Sequence, residues 1–316
     1  MNILVTGAAG FIGSHLCETL SKDHNVIGLD NFCDFYDIRI KRKNLHDLAK
    51  SDNFQIIMAD IRNISELEDV FSHNKFDLVI HLAAMAGVRP SILDPGLYTN
   101  VNVVGTLNLL EQCRKLNIKK FIFASSSSVY GNNKKVPFAE TDPVDHPISP
   151  YAATKKAGEL ICHSYHHLHQ ISIACLRLFT VYGPRQRPDL AIHKFSRRIL
   201  AGETIPVFGD GTTRRDYTYI DDIVEGVMKT IAFVDEGLYY EIFNLGESQT
   251  ISLSTMIETL EKTLAVKAKK EYLPMQSGDV IQTFADISKA KKILGYDPQT
   301  NFKVGIENFV EWLRKE

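Results

Sequence analysis

Residues 3–13 read Ile3-Leu4-Val5-Thr6-Gly7-Ala8-Ala9-Gly10-Phe11-Ile12-Gly13. The apolar run Ile3-Leu4-Val5 predicts a strand, and a helix is expected from about Gly13, so the glycines fall in the turn between them. Each glycine has a physical use. Gly7 permits the tight turn, Gly10 lets the backbone approach a pyrophosphate, and Gly13 lets the helix pack close to the strand. The helix N-terminus then faces phosphate charge. The spacing differs by one residue from the common GxGxxG form, so the loop needs context.

That context is in the following residues. Val26 to Leu29 predicts a second strand, ended by Asp30, which lies 17 residues after Gly13. A carboxylate there accepts from the adenosine ribose hydroxyls and repels a 2′-phosphate. No arginine precedes Arg39, so NAD is expected rather than NADP. Asp60 ends a third strand, Phe54 to Met58, and would meet the adenine edge. Leu78 to Leu82, Lys120 to Ala124 and Ile173 to Phe179 continue the strand series, with Gly105 to Lys115 a helix between two of them. The alternation predicts an α/β fold, a doubly wound parallel Rossmann sheet. Past Pro184 the rhythm shortens, with turns at Gly209-Asp210-Gly211 and Gly295-Tyr296-Asp297-Pro298. Residues 1–183 are therefore expected to form the NAD-binding domain. Residues 184–316 would form a smaller C-terminal α/β substrate lobe over the open end of the sheet, with segments near 215–245 returning to the first domain.

The bulk properties exclude other classes. The chain has 316 residues, 44% hydrophobic and 23% charged, with a formal net charge of −2. With no basic excess, nucleic acid is not an expected partner. No apolar run approaches the roughly 20 residues of a membrane span. Removal of an N-terminal leader would destroy the Gly7 loop. Five cysteines, an odd number with no CxxC pair, suit reduced thiols in the cytoplasm. The basic runs Lys41-Arg42-Lys43 and Lys267 to Lys270 are expected to be solvated surface. His163, His166, His167 and His169 lack carboxylate partners at ligand spacing, so no metal site is expected.

Tyr151-Ala-Ala-Thr-Lys155 opens a helix after Ser149-Pro150. Residues four apart share a helix face, so phenol and ammonium project together. The lysine charge is expected to lower the tyrosine pKa, and the phenolate can then take a proton from a substrate hydroxyl. Ser125-Ser126-Ser127-Ser128-Val129-Tyr130-Gly131 follows a buried strand at the sheet edge where ligands bind.

Gly7–Gly13, His81-Leu82-Ala83-Ala84, Ser125–Gly131 and Tyr151–Lys155 together resemble the extended short-chain dehydrogenase/reductase family of nucleotide-sugar epimerases and dehydratases, over nearly the whole chain. The resemblance implies that Tyr151 is the acid/base, Lys155 its partner and Ser126 the catalytic hydroxyl. It implies cofactor contacts from Gly7, Gly10, Phe11, Ile12, Gly13, Asp30, Asn31, Asp60, Ile61, Leu82, Ala83, Ala84 and Asn102, as well as Tyr151 and Lys155, with His81 also lining the groove. Dehydratases of the family carry an Asp-Glu pair just after the catalytic hydroxyl residue. Here Ser127 and Ser128 stand there, and neither hydroxyl is an acid or base near neutral pH. Return of the hydride to the opposite face, a 4-epimerisation, is then the simplest outcome. NAD would be regenerated in each cycle and remain tightly bound.

Asp30-Asn-Phe-Cys-Asp-Phe-Tyr-Asp37, Ala86-Gly-Val-Arg89-Pro-Ser, Phe179-Thr-Val-Tyr-Gly-Pro184 and Met275-Gln-Ser-Gly-Asp279-Val resemble the UDP-glucuronate 4-epimerases. UDP-glucose 4-epimerases carry Asn in place of Thr180 and Arg in place of Gln276. The resemblance places Arg185 and Arg215 on the diphosphate, ahead of Arg187 and Arg214, and Asp279 on the uridine ribose. Arg89 would reach the phosphates or hold the sugar loop. A hexuronate oxidised at C4 is a β-keto acid that loses carbon dioxide readily, so its carboxylate must be held still, and Ser127, Ser128 and Thr180 are suitable donors. UDP-glucose or UDP-N-acetylglucosamine is the alternative substrate. A UDP-sugar decarboxylase or dehydratase, and an NAD-sensing regulator, are disfavoured by Ser127-Ser128 and by the intact Tyr151–Lys155 pair respectively. A homodimer is implied through the helices near Gly105–Lys115 and Ala152–His169, with Leu107, Leu110, Leu160 and Ile161 suited to that contact or to the core.

Overall fold

The computed structural model describes residues 1–275 and 280–316. Seven parallel strands form the central sheet: β1 (Asn2–Thr6), β2 (Asn25–Asp30), β3 (Phe54–Met58), β4 (Leu78–His81), β5 (Lys120–Ser126), β6 (Ser172–Leu178) and β7 (Tyr240–Leu245). Their order is β7-β6-β5-β4-β1-β2-β3. The chain runs outward from β1 to β3, then returns to lay β4 on the other side of β1. Helices of both halves thus cover both faces, and the central strands are mostly apolar and buried; every residue of β4 is buried, as parallel sheets require.

The register aligns Thr6 with both Leu29 and His81. The carboxyl ends of β1, β2 and β4 therefore open together at the point where strand order reverses, which is where ligands of such sheets bind. The six strands expected from the sequence form within one or two residues of their expected ends. The first helix begins at Phe11, two residues before the expected start, because Gly10 serves as its N-cap. The helix carrying Tyr151 spans Pro150–His169. Ser149 caps it by accepting from the Ala152 amide at 3.2 Å, and Pro150 sits at its first position, where no amide donor is needed.

Beyond residue 184, one further strand joins the sheet. The helix Ile220–Glu236 packs on β5 and β6, and β7 follows it to pair with β6. The remaining segments form short strand pairs, Thr204–Phe208 with Lys269–Leu273 and Arg214–Arg215 with Ile251–Ser252. Helices Ala191–Leu200, Leu253–Leu264 and Phe302–Lys315 pack around them. One apolar cluster joins both regions, from Ile3 and Val5 through Ile223 and Phe243 to Tyr296 and Phe309.

Candidate active site

The glycine loop lies in the crevice between β1 and β4. Gly7 has φ +74°, and a Cβ there would stand 2.8 Å from the Ala83 amide nitrogen. A Cβ on Gly13 would stand 2.1 Å from the Gly7 carbonyl oxygen. Both positions therefore require glycine, for the turn and for close packing of helix on strand. No side chain caps the helix Phe11–Leu20, so its first amides are left for an anion.

From this loop runs a cleft of about 640 Å³. Gly7, Gly10, Phe11, Ile12, Gly13, Asp30, Asn31, Asp60, Ile61, Leu82, Ala83 and Ala84 line one end. Ser126, Ser127, Ser128, Tyr151, Lys155 and Thr180 line the other. The cradle at Gly7–Gly13, filled by any side chain, fits a dinucleotide pyrophosphate. Asp30 accepts from the amides of Ala9 at 3.2 Å and Phe32 at 2.8 Å, which aims its carboxylate into the cleft. Asp60 accepts a forked pair from Arg62 at 3.0 and 2.6 Å and one bond from Asn31 at 2.9 Å. The Arg62 hydrogen bonds hold its carboxyl down at about 2.

Several expected contacts lie elsewhere. Asn102 does not line the cleft. Its amide is spent on the Met85 amide (2.8 Å), the Met85 carbonyl (2.9 Å) and the Thr154 hydroxyl (3.0 Å), so it fixes the loop after β4 against the catalytic helix. His81 is buried between the Thr6 and Thr106 hydroxyls at 2.8 and 2.9 Å, and burial holds it neutral, down to about 3. Arg185 has φ +64°. That turn sends its guanidinium to Glu18, at 2.8 and 2.6 Å, and to His15, away from the cleft. Arg187, ranked behind it on sequence, is the one that enters. It pairs with Asp189 at 3.0 and 2.7 Å and lies over the Phe35 ring. Lys41 is not solvated surface but 5% exposed, with its ammonium at Asp30.

At the reacting end, Ser126 closes β5 and caps the turn Ser127–Tyr130, accepting from the Ser128 amide at 3.1 Å. The hydroxyl of Tyr151, half-buried in the cleft wall, meets it. Burial pushes the Tyr151 phenol up, while the Ser126 hydrogen bond and the Arg187 charge pull it down. Lys155 donates to the Ala124 carbonyl at 2.7 Å, and burial lowers it to about 8. Arg187 is thus a cation that works against the rise at Tyr151. The Lys155 ammonium stands in the same cleft, held on the Ala124 carbonyl of β5.

Beside this end, a smaller cavity of about 180 Å³ is lined by Ser127, Ser128, Thr180, Arg215 and Thr283, among others. Its shared serines and Thr180 make it continuous with the main cleft. Arg89 stacks over the Phe208 ring at 4.9 Å. Gln276 and Asp279 lie outside the described residues. Among the described residues, no group of three or more His, Cys, Asp or Glu is arranged to hold a metal ion, and no helix is long and apolar enough to cross a membrane.

A doubly wound sheet with a glycine cradle at its switch point and a Ser-Tyr-Lys cleft defines a dinucleotide-dependent hydride-transfer fold of the short-chain dehydrogenase type. Residues 3–246 match the NAD dependent epimerase/dehydratase family, and the chain belongs to it. It is 46% identical over 314 residues to a UDP-glucuronate 4-epimerase of Thermodesulfobacterium geofontis, covering 99% of this chain and 96% of that one. The crystal structure of a Bacillus cereus UDP-glucuronic acid 4-epimerase, in complex with UDP-glucuronic acid and NAD, superposes with a TM-score of 0.92. It is 40% identical and covers 100% of this chain and 99% of that one. A Thermotoga maritima UDP-glucose 4-epimerase with UDP-glucose superposes with a TM-score of 0.90 at 35% identity, over 100% and 99% of the two chains.

Proposed function

We propose that the chain is an NAD-dependent UDP-sugar 4-epimerase with UDP-glucuronate, converted to UDP-galacturonate, as its main substrate. The observation that carries the reaction class is the meeting of Ser126, Tyr151 and Lys155 in one cleft with the glycine cradle, while serines occupy the two positions where elimination needs acids. The relatives named above support the uronate.

Gly7, Gly10–Gly13, Asp30, Asn31, Asp60, Ile61 and Leu82–Ala84 would hold the dinucleotide, with Tyr151 and Lys155 beside its nicotinamide. Bound there, NAD supplies a hydride acceptor and, in its reduced form, the donor that returns the hydride to either face of the sugar. The protein's own groups manage the proton. Tyr151 Oη takes it from the C4 hydroxyl and gives it back to the same oxygen, with Ser126 sharing the bond. Lys155, fixed by Ala124, orients the ribose beside it. Ser127, Ser128 and Thr180 hold the C5 carboxylate, so that the bond to carbon dioxide stays out of line with the C4 carbonyl. Arg215 contacts the diphosphate, with Arg89 behind it, and Gln276 and Asp279 are assigned to the sugar–nucleotide half by resemblance. Residues 1–183 with 220–245 form the cofactor part, and the rest of 184–316 forms the UDP-sugar part.

The decisive assay incubates the purified protein, without added NAD, with UDP-glucuronate, UDP-glucose and UDP-N-acetylglucosamine separately. Epimer from the uronate is the expected result. Epimer only from a neutral sugar would overturn the substrate, and a stable 4-keto sugar or a pentose as main product would overturn the reaction. Ser127→Ala or Thr180→Val should raise the pentose share about fivefold, since a neutral hydrogen bond is worth about 1 kcal/mol net. An unchanged product ratio would reject the carboxylate-holding role.

We also propose a cytoplasmic homodimer. Leu160 and Leu107 stand exposed on the helices Pro150–His169 and Gly105–Lys115, whereas Leu110 is core. Five free thiols suit a reducing compartment.

A further inference from the structure

Lys41 and Asp30 form a pair at the far end of the cleft from Tyr151. Both are about 95% buried, and both line the cleft. The Lys41 ammonium lies 3.5 Å from one Asp30 oxygen, 3.3 Å from the Cys33 sulfur and 5.3 Å from the centre of the Tyr36 ring. A carboxylate at long range, a thiol and a ring face serve a buried ammonium poorly, because its three N–H donors seek short oxygen acceptors. Asp30 is itself heavily used. It accepts from two backbone amides as well as facing Lys41, leaving little of its roughly four lone-pair positions for ribose hydroxyls. The other cation here, Arg62, is already forked onto Asp60.

We propose that Lys41 is a second determinant of which dinucleotide the chain holds: its ammonium is placed to accept a ribose 2′-phosphate, and the Asp30 carboxylate is what keeps that phosphate out. Selection against the phosphorylated ribose then rests on one negative charge beside a cation, not on the shape of the pocket. Neutralising Asp30 alone converts the ribose end into a phosphate site. The proposal rests on residues 7–13 being the dinucleotide loop.

The test uses purified wild type, Asp30→Asn, Lys41→Met and the double variant. Each is first stripped of resident dinucleotide, then equilibrated with equal NADH and NADPH, separated from free nucleotide, and its bound nucleotide released and quantified. Asp30→Asn should raise the bound NADPH:NADH ratio about tenfold or more, the scale of one charge-assisted hydrogen bond. Adding Lys41→Met should return the ratio to within about threefold of wild type. No rise in Asp30→Asn, or an equal rise in the double variant, overturns the proposal. Should Asp30→Asn not fold, Lys41→Met alone decides. Its ratio should fall at least about threefold below wild type, and an unchanged ratio overturns the proposal. Wild type that binds neither nucleotide would instead overturn the dinucleotide site itself.

Discussion

Tyr151→Phe is expected to lower turnover of UDP-glucuronate by about 10³-fold, the usual scale of a positioned acid/base, while the protein keeps its dinucleotide and its fold. The phenol ring packs in the cleft wall with the Tyr98 ring edge-on at 6.2 Å, and phenylalanine preserves this contact. Only the proton path is lost. The same site makes a pH prediction. Burial raises the Tyr151 phenol, and the Ser126 hydrogen bond, like the Arg187 charge, works against that rise. Ser126→Ala removes a group that favours the phenolate, so the phenol should titrate at still higher pH. The limb of the turnover profile that rises with pH should move to the alkaline side, and Arg187→Met should move it the same way. Turnover of the tyrosine variant within about tenfold of wild type would displace Tyr151 from the acid/base role. A limb that moves to lower pH in Ser126→Ala would reject the electrostatic account.

These electrostatic partners were only half legible in the sequence. The helix spacing of Tyr151 and Lys155 and the apolar runs of β1 to β6 depend on local periodicity, and the chain follows them closely. What a side chain finally binds depends on contacts that are distant in sequence. Arg185 and Arg187 are two residues apart in one motif. The left-handed backbone at Arg185 turns it to Glu18, 167 residues earlier, and leaves Arg187 to the cleft. Lys41 reads as the start of a basic run, yet the helix Ile38–Asn44 points it inward while its neighbours face outward. Asn102 lies where the family touches the cofactor, but its amide is saturated by residues 17 and 52 positions away. β7 is weakly marked in the sequence: each of its residues pairs with one on β6 that lies 67 positions earlier, and its half-buried edge position gives it a weaker apolar signal than the central strands.

The catalytic helix is fixed to the sheet by a buried ion pair, and breaking that pair is expected to have the largest effect on stability. Arg177 on β6 donates to both Glu159 oxygens, at 2.8 and 2.9 Å, with each side chain 1% exposed. Ser125, the neighbour of Ser126, donates to Glu159 at 2.7 Å. Arg177 also donates to the Tyr130 hydroxyl at 3.0 Å, which passes the chain of bonds on to Asn244 of β7 at 2.7 Å. Glu159 sits one helical turn beyond Lys155, so this network sets where Lys155 and Ser126 stand relative to each other. Arg177→Met leaves the Glu159 charge buried with only Ser125 and Lys156 facing it, and should cost about 3–5 kcal/mol in urea unfolding at neutral pH. Replacing both partners, as Arg177→Met with Glu159→Leu, removes the orphaned charge and should recover a large part of that loss. The pH dependence follows from the sign of the Glu159 shift. Burial pushes its carboxyl up, but the Arg177 bonds outweigh this and hold it below its ordinary value, so in wild type the pair contributes above that value and weakens as pH falls. Without Arg177 the upward push of burial is opposed only by the Ser125 hydrogen bond and the Lys156 charge, so the carboxyl rises and stability is lost as pH rises through it. The deficit of Arg177→Met should therefore be smaller at pH about 5 than at pH about 8. A single variant costing under about 1 kcal/mol, or a double variant no better than the single one, would mean that packing of the helix, and not this pair, holds the catalytic residues in place.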